Sequence, residues 1–259
     1  MDDEHRPEQR SIHSIEVGFR LIRVLEEARG KLALKTLSAL ADMPPGKAHL
    51  YLVSFMKLGL VVQDPATSHY GLGPYALQLG ISALHQVNLA DVARGPLEEL
   101  HLRFELPTYI SIWGRMGPFI LLKQETELPT PFSIRVGFVF PLLTTATGSV
   151  FLAHLPARAT QSLIEAEGRV NPDLLARAEL IRDEVRELGY AASRGDLFRG
   201  FSALAAPVFD HEGSLAGAVS MLGVATLMDA KPTSPMVAAI RSAAAAISDS
   251  LGYRGDVDT

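Results

Sequence analysis

The order of short local patterns in residues 11–73 constrains the fold of this chain more than any other feature of its sequence. Helical spacing of Ile15, Phe19, Ile22 and Leu25 predicts an amphipathic helix that runs to about Ala28, with Ser11 as its N-cap. A second, shorter helix is predicted over 34–41, and residues 42–44 break it. Two helices joined so closely must pack against a further element in order to bury their apolar faces.

A third helix is predicted to begin at Pro45, because proline suits the first helical turn, where its missing N–H group costs no hydrogen bond. In that helix Ala48, Leu52 and Phe55 fall on one face, and residues 60–72 then predict a β-hairpin. This order is typical of a winged helix–turn–helix, whose third helix enters the major groove while its wing lies on the DNA backbone. The same patterns would also suit a small helical domain used for protein contacts or dimerisation.

The distribution of charge suits different partners for the two parts of the chain. The formal net charge of the 259 residues is −5. Residues 11–85 contain seven Lys or Arg and five Asp or Glu, whereas residues 86–259 contain 15 basic and 20 acidic residues. The net charge of the whole chain therefore counts against a nucleic-acid binder. The net charge of residues 11–85 taken alone, however, is mildly positive at +2.

Several classes of protein are excluded by what the sequence lacks. It has no cysteine, which excludes a disulfide framework, a thiolate nucleophile and cysteine-ligated metals. It contains no nucleophile elbow, Walker loop or HExxH motif, and none of its eight histidines pairs at i and i+4. The polar start and the absence of an apolar run near ~20 residues predict a cytoplasmic protein without membrane association. We therefore expect neither an enzyme nor a metal or cofactor site.

The remaining chain predicts a tail, a connector and a second domain. Residues 1–10 are expected to be disordered, residues 74–92 to form a linker helix, and residues 93–254 to form the second domain. The linker can pack against a second subunit, although an ordinary first helix of the next domain is an alternative. Strands are predicted over 108–113, 119–123, 201–209 and 215–222, with helices over 146–155, 174–188 and from 234 onwards. Hairpins joined to helices predict an α+β fold, an antiparallel sheet with flanking helices.

Motifs in both parts of the chain resemble the IclR type of bacterial transcriptional regulators. The N-terminal motifs are SIHSIEVG at 11–18, LADMPPGKAH at 40–49, LGLV at 58–61 and YGLG at 70–73. The C-terminal motifs are TTATGSVFLA at 144–153, LGY at 188–190, GFSALAAPVFD at 200–210 and AGAVSMLG at 216–223. The matching segments span nearly the whole chain in order. The resemblance implies a DNA-binding domain over 11–73 and a GAF-like effector-binding domain over 93–254.

The third helix and the wing carry the expected DNA contacts. The candidates are Lys35, Pro45, Gly46, Lys47, His49, Leu50, Tyr51 and His69. Gly46 stands where the family commonly has serine, and Leu50 where it commonly has arginine, so two groups that could reach phosphates or base edges are missing. The resemblance implies double-stranded operator DNA as the partner of a homodimer or tetramer.

The start of the helix predicted from Ala146 is a candidate anion site. Its free N–H groups, its dipole and the hydroxyls of Thr144 and Thr145 can receive a carboxylate, with plain N-capping as an equal alternative. By resemblance this loop lines an effector pocket. The full set of candidates is Trp113, Thr144, Thr145, Ala146, Ser193, Phe201, Ala203, Ser220 and Leu222. Few polar anchors among apolar walls suit a small carboxylate with an aliphatic or aromatic body.

These features together predict a ligand-responsive, sequence-specific transcriptional regulator that controls a catabolic operon. The alternative is a small-molecule sensor whose N-terminal domain serves as a protein-interaction module, an interpretation that the departure at Leu50 keeps open.

Overall fold

The computed structural model describes residues 12–28, 30–125, 134–193 and 199–255. Contacts within the chain divide it into two compact units, Met1–Gln86 and Val87–Thr259, each with its own hydrophobic core. The predicted tail 1–10 and the predicted N-cap Ser11 lie outside the described residues. Among the helices that are described, none is both long and apolar enough to cross a membrane.

The first unit has the order of a winged helix–turn–helix, as predicted. Its elements are α1 (His13–Glu27), α2 (Leu34–Leu40), α3 (Pro45–Lys57), β1 (Val61–Gln63), β2 (Tyr70–Leu72) and α4 (Pro74–Gln86). Pro45 occupies the first turn of α3, and Ala48, Leu52 and Phe55 all face the core. Strands β1 and β2 pair antiparallel to form the wing.

Helix α1 confirms only part of its predicted apolar stripe, since Leu25 is buried and Ile22 packs against the core but Ile15 and Phe19 do not belong to it. Val17, Leu21 and Leu25 lie in the core, whereas Ile15 and Phe19 are 55% and 45% exposed. Both sets have helical spacing, so periodicity alone could not choose between two overlapping stripes. The apolar surface that remains outside the core is available to a partner.

One carboxylate holds the turn of the wing. Asp64 Oδ1 accepts hydrogen bonds from the backbone N–H groups of Ala66 and Thr67 at 2.9 and 3.1 Å. Its Oδ2 accepts a hydrogen bond from Lys31 Nζ at 2.6 Å. The hydrogen bond from Lys31 and the two backbone bonds lower the pKa of Asp64 from 3.8 to about 2. The wing is therefore anchored by an ionised side chain at neutral pH.

The connector differs from the single helix predicted over 74–92. Helix α4 ends at Gln86, and a new helix α5 spans Leu89–Phe104. The side chain of Asn88 accepts a hydrogen bond from Ala90 N at 2.9 Å, so Asn88 is the N-cap of α5. The prediction of one continuous helix is wrong because this cap begins a second one.

The second unit is an antiparallel sheet with flanking helices, which confirms the α+β prediction. Its strands are β3 (Thr108–Gly114), β4 (Gly117–Gln124), β5 (Ala191–Ser193), β6 (Phe201–Phe209) and β7 (Leu215–Val224). Besides α5, its α-helices are α6 (Ala146–His154), α7 (Ala157–Val170), α8 (Ala178–Leu188) and α9 (Pro235–Ser250). Among the described residues the strand order is β4-β3-β7-β6-β5, with β3, β7 and β6 central.

Two elements of this unit were missed from the sequence. Helix α7 packs Leu163 and Ile164 against the core and buries Thr160 and Gly168. Strand β5 has three residues and pairs with β6 at the edge of the described sheet. The helix predicted over 174–188 is a 3-10 turn, Pro172–Arg177, followed by α8. Elements as short as β5 depend on their neighbours more than on their own pattern.

Helix α6 lies at the centre of one hydrophobic core and is buried from Ala146 to Ala153. Two arginines of α8 hold its C-terminal end: Arg182 Nε donates to Leu152 O at 3.2 Å, and Arg186 Nε donates to Ala153 O at 2.8 Å. Cations at this end complement the helix dipole and satisfy carbonyls without a helical partner. The position of α6 is therefore set by the helices and strands around it.

Replacing Asp64 with Asn should destabilise the wing in a pH-dependent way. Because the pKa of Asp64 is lower in the folded chain than in the unfolded one, its stabilisation is complete above about pH 4 and is lost as the pH falls toward 2. The difference in thermal unfolding midpoint between the wild type and Asp64→Asn should therefore narrow over that range. Asp42→Asn is the charge-matched control, since it removes a carboxylate of the same unit outside the wing. A gap that stays constant on acidification contradicts this role.

Candidate functional site

The exposed side of α3 carries most of the predicted DNA-binding residues. Pro45, Gly46, Lys47, His49 and Leu50 are all exposed and occupy the first two turns of the helix. The structure therefore brings these five together on the surface that a winged helix–turn–helix presents to the major groove.

The other three predicted DNA contacts lie outside this cluster. Lys35 is exposed on α2, and His69 is partly exposed in the wing. Tyr51 is half-buried, with its ring stacked on Phe55 at a centroid distance of 6.5 Å. It also packs closely on α1, because a Cβ added at Gly18 would lie only 2.8 Å from the Tyr51 ring. Tyr51 thus helps to hold α3 against α1.

Two residues outside the predicted contacts extend the same face. Lys57 is exposed in the last turn of α3 and adds a positive charge there. Ser54 is exposed as well, but its hydroxyl donates to the Leu50 carbonyl at 3.1 Å. A hydroxyl bonded to its own helix is less available to a ligand. The cationic groups of this face are Lys47 in the first turn of α3 and Lys57 in the last.

A small cavity lies at the start of α6. Six of the predicted effector residues line it, namely Thr145, Ala146, Ser193, Phe201, Ala203 and Leu222. The other lining residues are Tyr109, Ile134, Phe140, Thr147 and Ser202. Its volume is about 30 Å³, enough for one or two water molecules. The cavity has a polar end formed by hydroxyls and apolar walls formed by aromatic and aliphatic side chains.

This cavity adjoins a larger cleft of about 940 Å³. Thr145, Ser193 and Ser202 line both spaces, so they form the boundary between them. The cleft also has charged residues of both signs on its walls, which are Arg177, Glu184, Asp229 and Lys231. A bound molecule larger than water would extend from the cavity into this cleft.

Three predicted effector residues lie outside the small cavity. Thr144 lines the larger cleft. Ser220 is fully buried beside the cavity, with its Oγ 3.0 Å from Thr147 Oγ1. Trp113 is partly buried and packs against the core residue Phe151, with ring centroids 5.8 Å apart. These residues can support the cavity without lining it.

Thr145 is the N-cap of α6. Its hydroxyl accepts a hydrogen bond from Gly148 N at 2.8 Å and donates one to Pro141 O at 2.7 Å. N-capping, the alternative to an anion site for the two threonines, is therefore the role of the Thr145 hydroxyl. Ala146 and Thr147, whose N–H groups precede the first intrahelical hydrogen bond, both line the cavity. These N–H groups are the backbone donors that an anion would meet.

Tyr109 is the polar residue that sequence reasoning missed. Its phenol is buried and lies 3.4 Å from Thr147 Oγ1, and the residue lines the small cavity. Burial raises the pKa of Tyr109 to about 12, although hydrogen bonds from Thr147 and Ser220 oppose the shift. The phenol is therefore a neutral donor at physiological pH. Side chains alternate between the two faces of a strand, so Tyr109 lies on the same face of β3 as Trp113. This shared face is the sequence signal that could have identified Tyr109.

The loop before α6 is held by Glu167 of α7. Its two carboxylate oxygens accept hydrogen bonds from Leu142 N at 2.7 Å and Leu143 N at 2.9 Å. Bonds from backbone N–H groups to a carboxylate are stronger than neutral ones. Glu167 therefore fixes the segment that leads into Thr144 and Thr145.

The small cavity offers hydrogen-bond donors rather than catalytic groups. No ionisable side chain other than Tyr109 is among the described residues that line it. Nowhere in the described part of the chain do three His, Asp or Glu side chains gather as a metal site would require. The arrangement can bind and orient a small molecule through donors and apolar contacts.

Comparison with known families covers both units of the chain. Residues 14–65 match the IclR helix-turn-helix domain. Residues 81–249 match the C-terminal region of the bacterial transcriptional regulator IclR. The two matches follow each other in the same order as the two units of the fold.

Individual proteins resemble the chain over almost its full length. It is 30% identical to the glycerol operon regulatory protein of Streptomyces griseus, across 94% of this chain and 98% of that protein. It is 27% identical to the HTH-type transcriptional regulator XynR of Escherichia coli, across 93% and 98%. The crystal structure of Pseudomonas aeruginosa HmgR has a TM-score of 0.88 at 33% identity, covering 94% of this chain and all of that one.

Replacing Glu167 with Gln should loosen the loop that leads into α6. The amide side chain keeps one acceptor oxygen, so one of the two backbone N–H groups loses its partner, which costs about 2 kcal/mol of unfolding free energy. Urea unfolding measures the change. The matched control is Glu165→Gln, two residues earlier on α7, where the carboxylate is exposed and accepts a hydrogen bond from Gln161. Equal effects of the two substitutions would show that the loop does not depend on Glu167.

Proposed function

This chain belongs to the IclR family of bacterial transcriptional regulators, and we propose that it controls a catabolic operon in response to a small organic acid. It has a helix–turn–helix DNA-binding domain and is a regulator rather than an enzyme, as the sequence predicted. What we propose beyond the family is the control of a catabolic operon, the chemical class of the effector and the assembly of two or more subunits. Relatives whose names refer to an operon or to repression support control of a metabolic operon.

The exposed start of α3 is the proposed reading surface. In the proposed complex this helix enters the major groove, and the wing anchored by Asp64 lies on the phosphate backbone. Lys35, Lys47 and Lys57 are exposed and supply positive charge. Because the unit carries only a small positive excess, we expect modest affinity per subunit that falls as salt rises. Two subunits would read two half-sites, which raises the affinity of the pair.

Helix α4 is the proposed contact between two subunits. It is apolar and largely exposed, with Leu77 at 68% and Ile81 at 46% exposed. These two residues are four apart and therefore lie on one side of the helix. Leu79 and Tyr75 add further exposed apolar area. An exposed apolar helix of this kind is typical of a protein interface.

The proposed effector is a small carboxylate with an aliphatic or aromatic body. The observation that carries this proposal is the pairing, at one cavity, of the free N–H groups of α6 with the neutral phenol of Tyr109. These donors suit an anionic group, and none of the described residues lining the cavity is a carboxylate that would repel it. Phe140, Phe201 and Leu222 then contact the apolar body of the ligand.

Effector binding would act by shifting the balance between arrangements of the two subunits. Only an arrangement that matches the half-site spacing allows both third helices to dock at once. A ligand that binds one arrangement more tightly raises its population, and the shift is bounded by the difference in affinity. A mobility-shift assay with the DNA upstream of the chain's own gene tests the proposed operator binding, and an absence of any shift contradicts it.

Charges placed on α4 should separate the subunits and weaken operator binding together. Leu77→Lys combined with Ile81→Lys puts two ammonium groups on the proposed contact, and we expect monomers in sedimentation velocity. Loss of the second half-site should lower operator affinity at least tenfold in a mobility-shift assay.

Gln78→Lys combined with Ser82→Lys is the matched control, because it adds the same charge to exposed polar positions of α4. The control should remain dimeric and bind the operator. A dimer that survives the substitutions at 77 and 81 overturns α4 as the contact.

Tyr109→Phe should weaken effector binding while leaving the fold intact. A thermal-shift screen of aliphatic and aromatic acids identifies the ligand first, because a bound acid raises the unfolding midpoint. Removing a hydrogen bond to a charged group costs about 1.5–3 kcal/mol, so Tyr109→Phe should raise the Kd about tenfold to a hundredfold.

The control for this substitution is Tyr253→Phe, which removes a phenol from a different cleft. Its effector Kd should match the wild type. A chain that responds only to sugars or cations contradicts the carboxylate proposal, and an unchanged Kd for Tyr109→Phe contradicts the role of the phenol.

A further inference from the structure

Leu50 is the most exposed large apolar residue of α3, at 70% exposed. It lies outside the hydrophobic core of the first unit, which the opposite side of the helix completes with Ala48, Leu52 and Phe55. A single exposed leucine is common on protein surfaces. This one, however, stands on the face through which the helix would meet DNA.

The residues beside Leu50 leave it prominent on that face. Gly46 is one turn before it and has no side chain, and Ser54 is one turn after it with its hydroxyl bonded back to the Leu50 carbonyl. Lys47 and Lys57 lie toward the two ends of the same face. The middle of this face of α3 is therefore apolar, with only the Leu50 side chain protruding from it, and lysines lie on either side.

Packing within the protein does not require glycine at 46. A Cβ added there would meet nothing within 4 Å, and the backbone has no positive φ at this position. Glycine in a helix costs about 0.5–1 kcal/mol relative to alanine. A benefit outside the folded chain is therefore expected, and the absence of a side chain lets the start of α3 approach another surface closely.

The major groove offers one apolar group, the C5-methyl of thymine. A leucine cannot serve the donors and acceptors of the base edges, but it can contact this methyl group. We infer that Leu50 is a specificity-determining residue of this chain, which selects a thymine in each operator half-site through its methyl group, with Gly46 allowing the close approach. The inference rests on the proposed function, since it requires that α3 reads DNA.

The flanking charges favour DNA over a protein surface as the partner of this face. Lys47 and Lys57 would meet phosphates on either side of the groove while Leu50 meets the base edge. A protein partner would need an acidic rim around an apolar pocket to fit the same pattern. DNA supplies both the anionic backbone and the apolar methyl group in every A·T pair.

Replacing thymine with deoxyuridine tests the inference, because it removes only the methyl group. The operator is first located by footprinting the full chain on the DNA upstream of its gene. Each thymine of the half-sites is then replaced in turn, and the Kd is measured by mobility shift. We expect one position in each half-site at which the Kd rises about fourfold, the effect of one buried methyl group.

The variant Leu50→Ala should bind the operator more weakly and should lose this sensitivity to deoxyuridine. Leu40→Ala is the matched control, since Leu40 is 63% exposed but belongs to α2. It should keep the full sensitivity. Leu50→Arg should shift the preferred base pair at this position toward guanine, because arginine bonds to guanine O6 and N7.

A failure of DNA binding and a failure of the role of Leu50 give different results. If the full chain binds no upstream DNA, the proposed function fails and the inference with it. If it binds the operator but no deoxyuridine substitution matters, or if the sensitivity persists in Leu50→Ala, the role of Leu50 is overturned while DNA binding stands.

Discussion

Burial of α6 on all sides is the constraint on which the second unit depends. Glu167 holds the loop before this helix through two backbone N–H groups, and Arg182 and Arg186 hold the carbonyls at its other end. An anion near the start and cations near the end complement the helix dipole. Because α6 cannot shift without breaking these contacts, the N–H groups of its first turn keep a fixed position. A site with preformed donors binds its ligand without the cost of ordering them.

The first unit divides its apolar side chains between its own core and its surface. Val17, Leu21 and Leu52 fill the core, whereas Leu77 of α4 and Leu50 of α3 remain outside it. Exposed apolar groups are stabilised only when another molecule covers them. The proposed partners of these two positions differ: a second subunit at α4 and DNA at α3. The mild basic excess of this unit favours only the second of these.

An element could be predicted from the sequence when residues close to it in the chain determine it. Pro45 marked the start of α3 because the helix N-terminus tolerates proline, and the wing followed from turn residues. The motif around Thr145 also located the start of α6, and the resemblance to the family supplied the other predicted residues that line the cavity. Tyr109 escaped because its role depends on β3 lying beside β7 and α6. The break at Asn88 was missed because a single capping side chain interrupts an otherwise helical pattern.

The sequence by itself determined the order of the two units and the start of helix α3, because these depend on periodicity and turn chemistry close together in the chain. The class of the protein followed from motifs that resemble those of its family. Only the tertiary structure decided which stripe of α1 is buried, that Thr145 serves as a cap, and that Tyr109 shares a cavity with Leu222. Those outcomes depend on residues far apart in sequence, whose side chains meet only after the sheet and its helices have packed.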